Sequence, residues 1–309
     1  MQTKKSYFSN KKFTLEGLER AQVKMISLKT LWFNTGTLCN LSCENCYIES
    51  SPKNDSLVYL TLEEVKRFLN EINVLGLNTS QIGFTGGEPF MNPHIISMLK
   101  ESLKQDKNIL ILTNAMRPMM RFEKDLLNLK KFYKKIFFRV SLDHFTQANH
   151  ERIRGKNTWE PTIRGIKWLY NNGFSVSIAS RMVWNQSEQF TRENFNNLFQ
   201  NIQVQINAYS PNQLVLFPEL NSNLDTPEIT NKCWKILNKR PEDMMCSSSR
   251  MIIRRKDSLE ASVLPCTLLT DDSKFEIGKD LKSSKKKVYL NHPHCSKFCV
   301  LGGGSCSPN

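Results

Sequence analysis

No uninterrupted apolar run in this sequence approaches the roughly 18 residues that a membrane-crossing helix requires. The N-terminal segment MQTKKSYFSNKKFTLEG is basic but has no apolar stretch after its lysines, which argues against a secretory signal. These two absences make the cytoplasm the default location and leave no expected membrane partner. The chain also lacks internal repeats and extended low-complexity segments, so solenoid and fibrous classes are set aside. It offers no convincing catalytic triad and no glycine loop suited to cradling phosphate. No recognisable nucleic-acid module accompanies its net charge of +14. The lysines are spread along the chain, with only short clusters at 285–287 and 254–256. The basic balance therefore reads as a solvated surface, with an acidic or phosphorylated substrate as the other reading, and nucleic acid is not an expected partner.

What is present is a chain of 309 residues, 39% hydrophobic and 23% charged, enough for one large domain and a smaller one. β-rich runs alternate with amphipathic helical runs through its first two-thirds. Strands are expected at 30–35, 81–85, 108–113, 136–142, 174–183 and 214–217. Helices are expected at 61–75, 93–105, 123–133, 161–171 and 192–200, the first opened by a Thr61/Glu64 capping box. Such alternation implies right-handed crossovers and a parallel sheet. The expected class is α/β, a partial (β/α)6 barrel followed by a small cysteine-rich extension. Three regions are expected: an N-terminal extension at 1–28, a core at 29–225 and a C-terminal extension at 226–309, the last two parted by a Pro- and Asn-containing stretch near 221–230. Barrel chemistry gathers at the C-terminal ends of strands, so motifs matter most there.

Nine cysteines in a reducing compartment suggest metal ligands or redox groups rather than disulfides. Three are close together, in Cys39-Asn-Leu-Ser-Cys43-Glu-Asn-Cys46-Tyr47, directly after the first expected strand. Three thiolates at this spacing can converge on one iron–sulfur cluster, and with no fourth cysteine nearby one iron stays open to chelate a ligand. Zinc completed by a distant residue, or simple reactive thiols, are the rival readings. Here the chain resembles the radical S-adenosylmethionine superfamily, whose signature is this three-cysteine spacing after the first strand of a partial β/α barrel. One detail departs from the common pattern: Asn45 precedes the last cysteine where that family often has an aromatic residue, and Tyr47 follows it.

Two further motifs fall at expected strand ends. Thr85-Gly86-Gly87-Glu88-Pro89 follows the second strand, and the resemblance implies that Gly86, Gly87, Glu88 and Pro89 hold the amino group of the cofactor's methionine part. Ser141-Leu142-Asp143 ends the fourth strand and is followed by His150-Glu-Arg152-Ile-Arg154. This is similar to the serine–arginine pair that many members place against the cofactor's ribose and carboxylate. Ser141, Asp143 and Arg154 are accordingly cofactor-binding candidates, with Arg152 as a rival to Arg154 and Tyr47 as a further contact. Convergence of three motifs on one sheet face argues against zinc.

In the remainder, Cys266-X11-Gly278 and Cys295-Ser-Lys-Phe-Cys299 up to Cys306 resemble the auxiliary-cluster (SPASM and twitch) extensions of that superfamily. Cys266, Cys295, Cys299 and Cys306 would supply four thiolates to a second iron–sulfur cluster, with structural zinc as the alternative and Cys246 as a residue that could replace one ligand. Cys233 reads as a small buried hydrophobe within a helix, and His292 and His294 read as a short terminal loop.

The resemblance implies an enzyme, of undetermined oxidoreductase, transferase or lyase class, that uses a [4Fe-4S] cluster to cleave S-adenosylmethionine reductively. The resulting 5′-deoxyadenosyl radical would abstract hydrogen from a substrate in cofactor or small-molecule biosynthesis or in peptide modification. It also implies a low-potential electron donor of flavodoxin or ferredoxin type. Only about 28 residues precede the expected core, which reads as too few for a fused peptide-recognition domain. Arg181 and Trp184 at the fifth strand's end, and Glu219 after the sixth, are candidate substrate-facing residues, and Arg181→Ala is expected to impair substrate turnover more than cofactor cleavage. The reading from a different class is a non-enzymatic zinc-binding adaptor associated with nucleic acid.

Overall fold

A computed structural model describes residues 7–219, 226–270 and 272–306. In chain order the elements are β1 (Gln22–Val23), β2 (Thr30–Asn34), α1 (Leu62–Val74), β3 (Gln81–Thr85), α2 (Ile95–Lys104), β4 (Asn108–Thr113), α3 (Arg117–Met120), α4 (Glu123–Asn128) and β5 (Ile136–Ser141). They continue with α5 (Gln147–Arg154), α6 (Trp159–Asn171), β6 (Ser175–Met182), α7 (Glu188–Asn201), β7 (Leu214–Pro218), α8 (Cys233–Ile236), β8 (Ser249–Ile253), β9 (Ser262–Leu264) and β10 (Val288–Tyr289).

One sheet of eight strands runs in the order β7-β6-β5-β4-β3-β2-β8-β9. The six expected strands form its parallel run, in sequence order from β2 to β7. The region after residue 226 adds to the same sheet: β8 pairs parallel with β2, and β9 closes antiparallel on β8. A separate ribbon joins β1 antiparallel to β10, so the segment before the core is tied to the segment after it. Part of the Pro- and Asn-containing stretch, residues 221–225, lies outside the described residues. Among the described residues, no helix is long and apolar enough to cross a membrane.

Strand β2, TLWFN, is buried at every position because a parallel sheet is covered on both faces. Leu31 and Phe33 point to the helix side, where they pack with Ile82, Phe84, Ile109 and Ile111 from the neighbouring strands. Trp32, one residue out of phase, enters a second core on the inner face with Leu110, Met251, Leu264 and Phe298. Gly83 makes room for it, since a Cβ there would stand 2.2 Å from the Trp32 ring. The C-terminal region thus fills the inner face of the sheet while the helices cover the outer one.

The capping box forms as expected: Thr61 Oγ1 accepts from the Glu64 N–H at 3.2 Å, and Glu64 Oε2 accepts from the Thr61 N–H at 2.9 Å. The helix expected at 123–133 breaks instead into α4 and a 3₁₀ turn at Lys130–Lys135. Lys130/Lys134 and Lys131/Lys135 would repel one another at i,i+4 spacing on a continued α-helix. Helix α7 starts four residues earlier than expected, because Ser187 accepts from the Phe190 N–H at 3.1 Å and so sets the cap.

Candidate active site

The site begins where β2 stops. From Asn34 the chain turns through Gly36 into the cysteine loop, and the Gly86–Gly87 turn after β3 packs directly on that path. Gly87 N–H donates to Gly36 O at 2.8 Å and Glu88 N–H to Leu38 O at 3.1 Å. A Cβ on Gly87 would stand 2.3 Å from Leu38 O, and one on Gly86, whose φ is +144°, would stand 2.6 Å from Gly36 O. These glycines therefore allow one loop to lie against the other. The cysteine loop is fastened at further points: Cys39 N–H donates to Ser51 O at 3.1 Å, and Glu44 N–H to Ile153 O at the end of α5 at 2.8 Å.

A cavity of about 160 Å³ opens above these strand ends. Cys39, Cys43, Cys46 and Tyr47 form one wall, and Thr85, Gly86, Gly87, Thr113 and Ser141 form the floor. Leu268, Phe298 and Cys306 of the C-terminal region form the facing wall. Strand-end position alone should have flagged Thr113 and Asn114, which follow NILIL directly. Arg139 was also missed; its signal was a charge inside the apolar strand IFFRVS. It is buried, lines the cavity, and donates from Nη1 to Cys306 O at 2.8 Å.

Burial pushes the Cys39 thiol up to about 12, with the nearby Glu88 carboxylate adding to the effect. The Leu41 N–H, 3.4 Å from Cys39 Sγ, works the other way. Burial also raises Cys43, tempered by Arg154. Thiols in such a place become thiolates only beside a strong electropositive centre. Among the described residues, no group of three Cys, His, Asp or Glu side chains is arranged to hold a single metal ion.

Glu88 and Pro89 stand behind the cavity wall. Glu88 is 1% exposed; its Oε1 accepts from Thr113 Oγ1 at 2.8 Å and Phe90 N–H at 3.2 Å, and its Oε2 from Asn114 N–H at 2.8 Å. Burial raises its carboxyl to about 7 against the pull of those donors. It forms no ion pair within the described residues, which makes it a buried carboxylate suited to a cationic ligand.

Asp143, by contrast, has two cationic partners. Arg154 Nε donates to its Oδ2 at 2.8 Å, while Arg181 Nε and Nη2 donate to Oδ1 and Oδ2, each at 3.1 Å. Burial pushes the Asp143 carboxyl up, but the two guanidinium groups outweigh it and hold the carboxyl below its ordinary value. Arg154 also keeps its charge firmly: Asp143 and the thiol of Cys43 outweigh the cost of burying it. Arg152 lies elsewhere, with its guanidinium 5.4 Å over the Trp184 ring, so Arg154 is the arginine at the cavity.

Arg181 does more than line the cavity. Its Nη1 donates to Glu44 O at 3.0 Å and Asn45 O at 3.2 Å, the two carbonyls between Cys43 and Cys46. It thus ties the cysteine loop to Asp143, and its donors are committed to the protein. Trp184 is turned away, edge-on to His144 in a separate small cavity behind Asp143. Glu219 is exposed at the cavity rim.

The C-terminal cysteines separate. Cys266, Cys295 and Cys299 line a second, smaller cavity together with Cys246, while Cys306 lines the first cavity. Cys233 is partly buried at the start of α8, packed at the edge of the inner core.

Residues 33–185 match the family model of the Radical SAM superfamily. The chain carries a radical SAM domain. The family is one of enzymes, which favours an enzyme over the zinc-binding adaptor. The antilisterial bacteriocin subtilosin biosynthesis protein AlbA of Bacillus subtilis is 36% identical over 143 residues, covering 46% of this chain and 30% of that protein. A GTP 3′,8-cyclase of Crocosphaera subtropica is 26% identical over 208 residues, covering 63% of this chain and 58% of that enzyme. The chain thus spans between about three-tenths and three-fifths of the length of these two relatives. Streptococcus suis SuiB bound to S-adenosylmethionine superposes with a TM-score of 0.59 at 13% identity, over 82% of this chain and 63% of SuiB. The enzyme anSMEcpe with bound AdoMet gives 0.57 at 14%, over 85% and 81%. These superpositions show that the fold is shared.

Proposed function

We propose that this protein is a radical SAM enzyme that cleaves S-adenosylmethionine reductively, and that its substrate is a peptide. The observation that carries the first part is the shared cavity: three thiols, a glycine turn with a buried acid behind it, and a buried arginine meet at the ends of parallel strands. Cys39, Cys43 and Cys46 would hold a [4Fe-4S] cluster. The donor set fits, because the buried Cys39 and the half-buried Cys43 and Cys46 line one cavity with the cationic Arg154. When bound, cluster and cofactor supply a one-electron cleavage that yields methionine and a 5′-deoxyadenosyl radical able to take hydrogen from a substrate.

The protein's own residues position and shield. Glu88, buried without a cationic partner, would take the cofactor's ammonium, with Gly86 and Gly87 leaving room beside it and Pro89 opening the turn behind. Arg154, held through Nε by Asp143, leaves its other nitrogens for a carboxylate. Ser141 offers a hydroxyl to the ribose and Tyr47 a partly buried ring. The C-terminal wall of Leu268, Phe298 and Cys306 would exclude water from the cavity. A net charge of +14 would favour an acidic low-potential electron donor of flavodoxin or ferredoxin type.

The peptide class is supported by the 36% identity to a bacteriocin biosynthesis protein and by the likeness to SuiB, which has been solved bound to its precursor peptide SuiA. Small-molecule maturation is the second reading, favoured by the longer but weaker match to GTP 3′,8-cyclase. The test is to co-express the enzyme with candidate precursor peptides and follow their mass. A mass change on one peptide that depends on S-adenosylmethionine supports the reading, and a product from GTP with unchanged peptides overturns it.

A further inference from the structure

Arg139, Arg154 and Arg181 all line the first cavity, but they differ in what neutralises them. Arg154 and Arg181 share the Asp143 carboxylate. Arg139, in the middle of β5, has no carboxylate partner among the described residues. It is 5% exposed, and its hydrogen bond runs from Nη1 to Cys306 O at 2.8 Å. Its Nε is buried with no partner at all. Burial pulls its pKa below the ordinary guanidinium value, with the Cys306 thiol working the other way. Glu219, the other acid in the lining, is exposed at the rim and forms no ion pair with it.

A guanidinium keeps its proton, and an unpaired charge inside a protein is costly. One hydrogen bond to a backbone carbonyl does not offset that cost. Nor does the strand itself call for a cation here: the neighbours in register are Leu112 on β4 and Ser177 on β6. The groups proposed for the cofactor, Glu88 for its ammonium, Arg154 for its carboxylate and Ser141 for its ribose, leave Arg139 without a task. The cavity's other walls supply Leu112, Phe217, Leu268 and Phe298, with the two phenylalanine rings 5.3 Å apart. An apolar lining that holds one unneutralised arginine suits a short aliphatic stem ending in a carboxylate. The planar fork of arginine matches that group through two parallel N–H bonds. Cys306 O fixes the guanidinium at Nη1 and leaves the Nε–Nη2 edge uncommitted.

We propose that Arg139 is a specificity-determining residue that binds the carboxylate of an aspartate or glutamate side chain of the peptide substrate. The proposal rests on the reading of this cavity as the place where a peptide meets the cofactor. It adds what that reading leaves open: the peptide carries an acid close to the position that reacts. No bond is made or broken at Arg139; the residue selects and holds.

The experiment uses the full chain, reconstituted anaerobically with iron and sulfide and loaded with S-adenosylmethionine. Three pools of short random peptides are the probes. One is blocked at both ends and carries a glutamate, the second has glutamine in its place, and the third is the glutamine pool with a free C-terminal carboxylate. Equilibrium dialysis read by mass spectrometry should show the native chain retaining the glutamate pool about tenfold over the glutamine pool, the worth of one charge-assisted pair. Arg139→Gln should erase that preference, and Arg139→Lys should keep part of it. Equal retention of the two pools by the native chain, or a preference that survives Arg139→Gln, overturns the proposal. Preference for the third pool over the first overturns the side-chain assignment in favour of a chain terminus. The comparison of pools on the native chain stands without any variant, and iron content checks that Arg139→Gln folds. A native chain that retains GTP and none of the pools fails the peptide reading itself, which is distinct from pools retained without preference.

Discussion

The two groups of cysteines stand in contrasting surroundings. At the first, Cys39, Cys43 and Cys46 sit on a loop whose backbone is held from outside by Ser51, Ile153 and Arg181, and the cavity beside them contains both acids and bases. At the second, Cys246, Cys266, Cys295 and Cys299 line a small cavity whose other walls are mostly methionine, leucine and valine. A loop held at its backbone leaves room in front of its thiols for a ligand that comes and goes. An apolar lining offers no polar group to orient such a ligand. The first is therefore the one expected to do chemistry on a bound cofactor.

The difference can be broken at its strongest point. Cys43→Ala should abolish 5′-deoxyadenosine formation, a loss of about a thousandfold or more because the cluster is a prerequisite of the reaction. Undiminished formation in that variant would remove Cys43 from the site. Next in size is Glu88→Gln. Losing one charge-assisted interaction with a cation, about 1.5–3 kcal/mol, should weaken S-adenosylmethionine binding about 10- to 100-fold, read by equilibrium binding to the reconstituted protein. Unchanged affinity would remove Glu88 from the cofactor site.

Arg181 comes third. The geometry revises the expectation that Arg181→Ala spares cofactor cleavage, because its donors hold Glu44 O, Asn45 O and Asp143 rather than facing a substrate. Cleavage and substrate turnover should fall together, with iron lost faster to a chelator. A selective loss of turnover would restore a substrate role. The smallest effect belongs to Thr61→Ala, which should cost about 1 kcal/mol of stability through the lost N-cap and leave iron content unchanged. Chemical denaturation measures it.

Strand positions were legible because each β run stands between helical runs with its own apolar period, and parallel pairing in sequence order follows from that alternation. The cysteine spacing, Gly86–Gly87 and Ser141 were legible for the same reason: each follows a strand directly. What was hidden depends on contacts across long separations. Arg181 meets Glu44 from far along the chain, Arg139 meets Cys306, and β8 pairs with β2. No periodicity encodes such meetings. Trp184 illustrates the limit from the other side, since it lies at the right strand end yet turns behind Asp143.

The central claim is that the cavity at Cys39, Cys43 and Cys46 binds and cleaves S-adenosylmethionine. Anaerobically reconstituted protein, given dithionite and S-adenosylmethionine, should form 5′-deoxyadenosine, and the Cys43→Ala variant should form none. A protein carrying a full complement of iron that yields no 5′-deoxyadenosine, or an undiminished yield from Cys43→Ala, would contradict it.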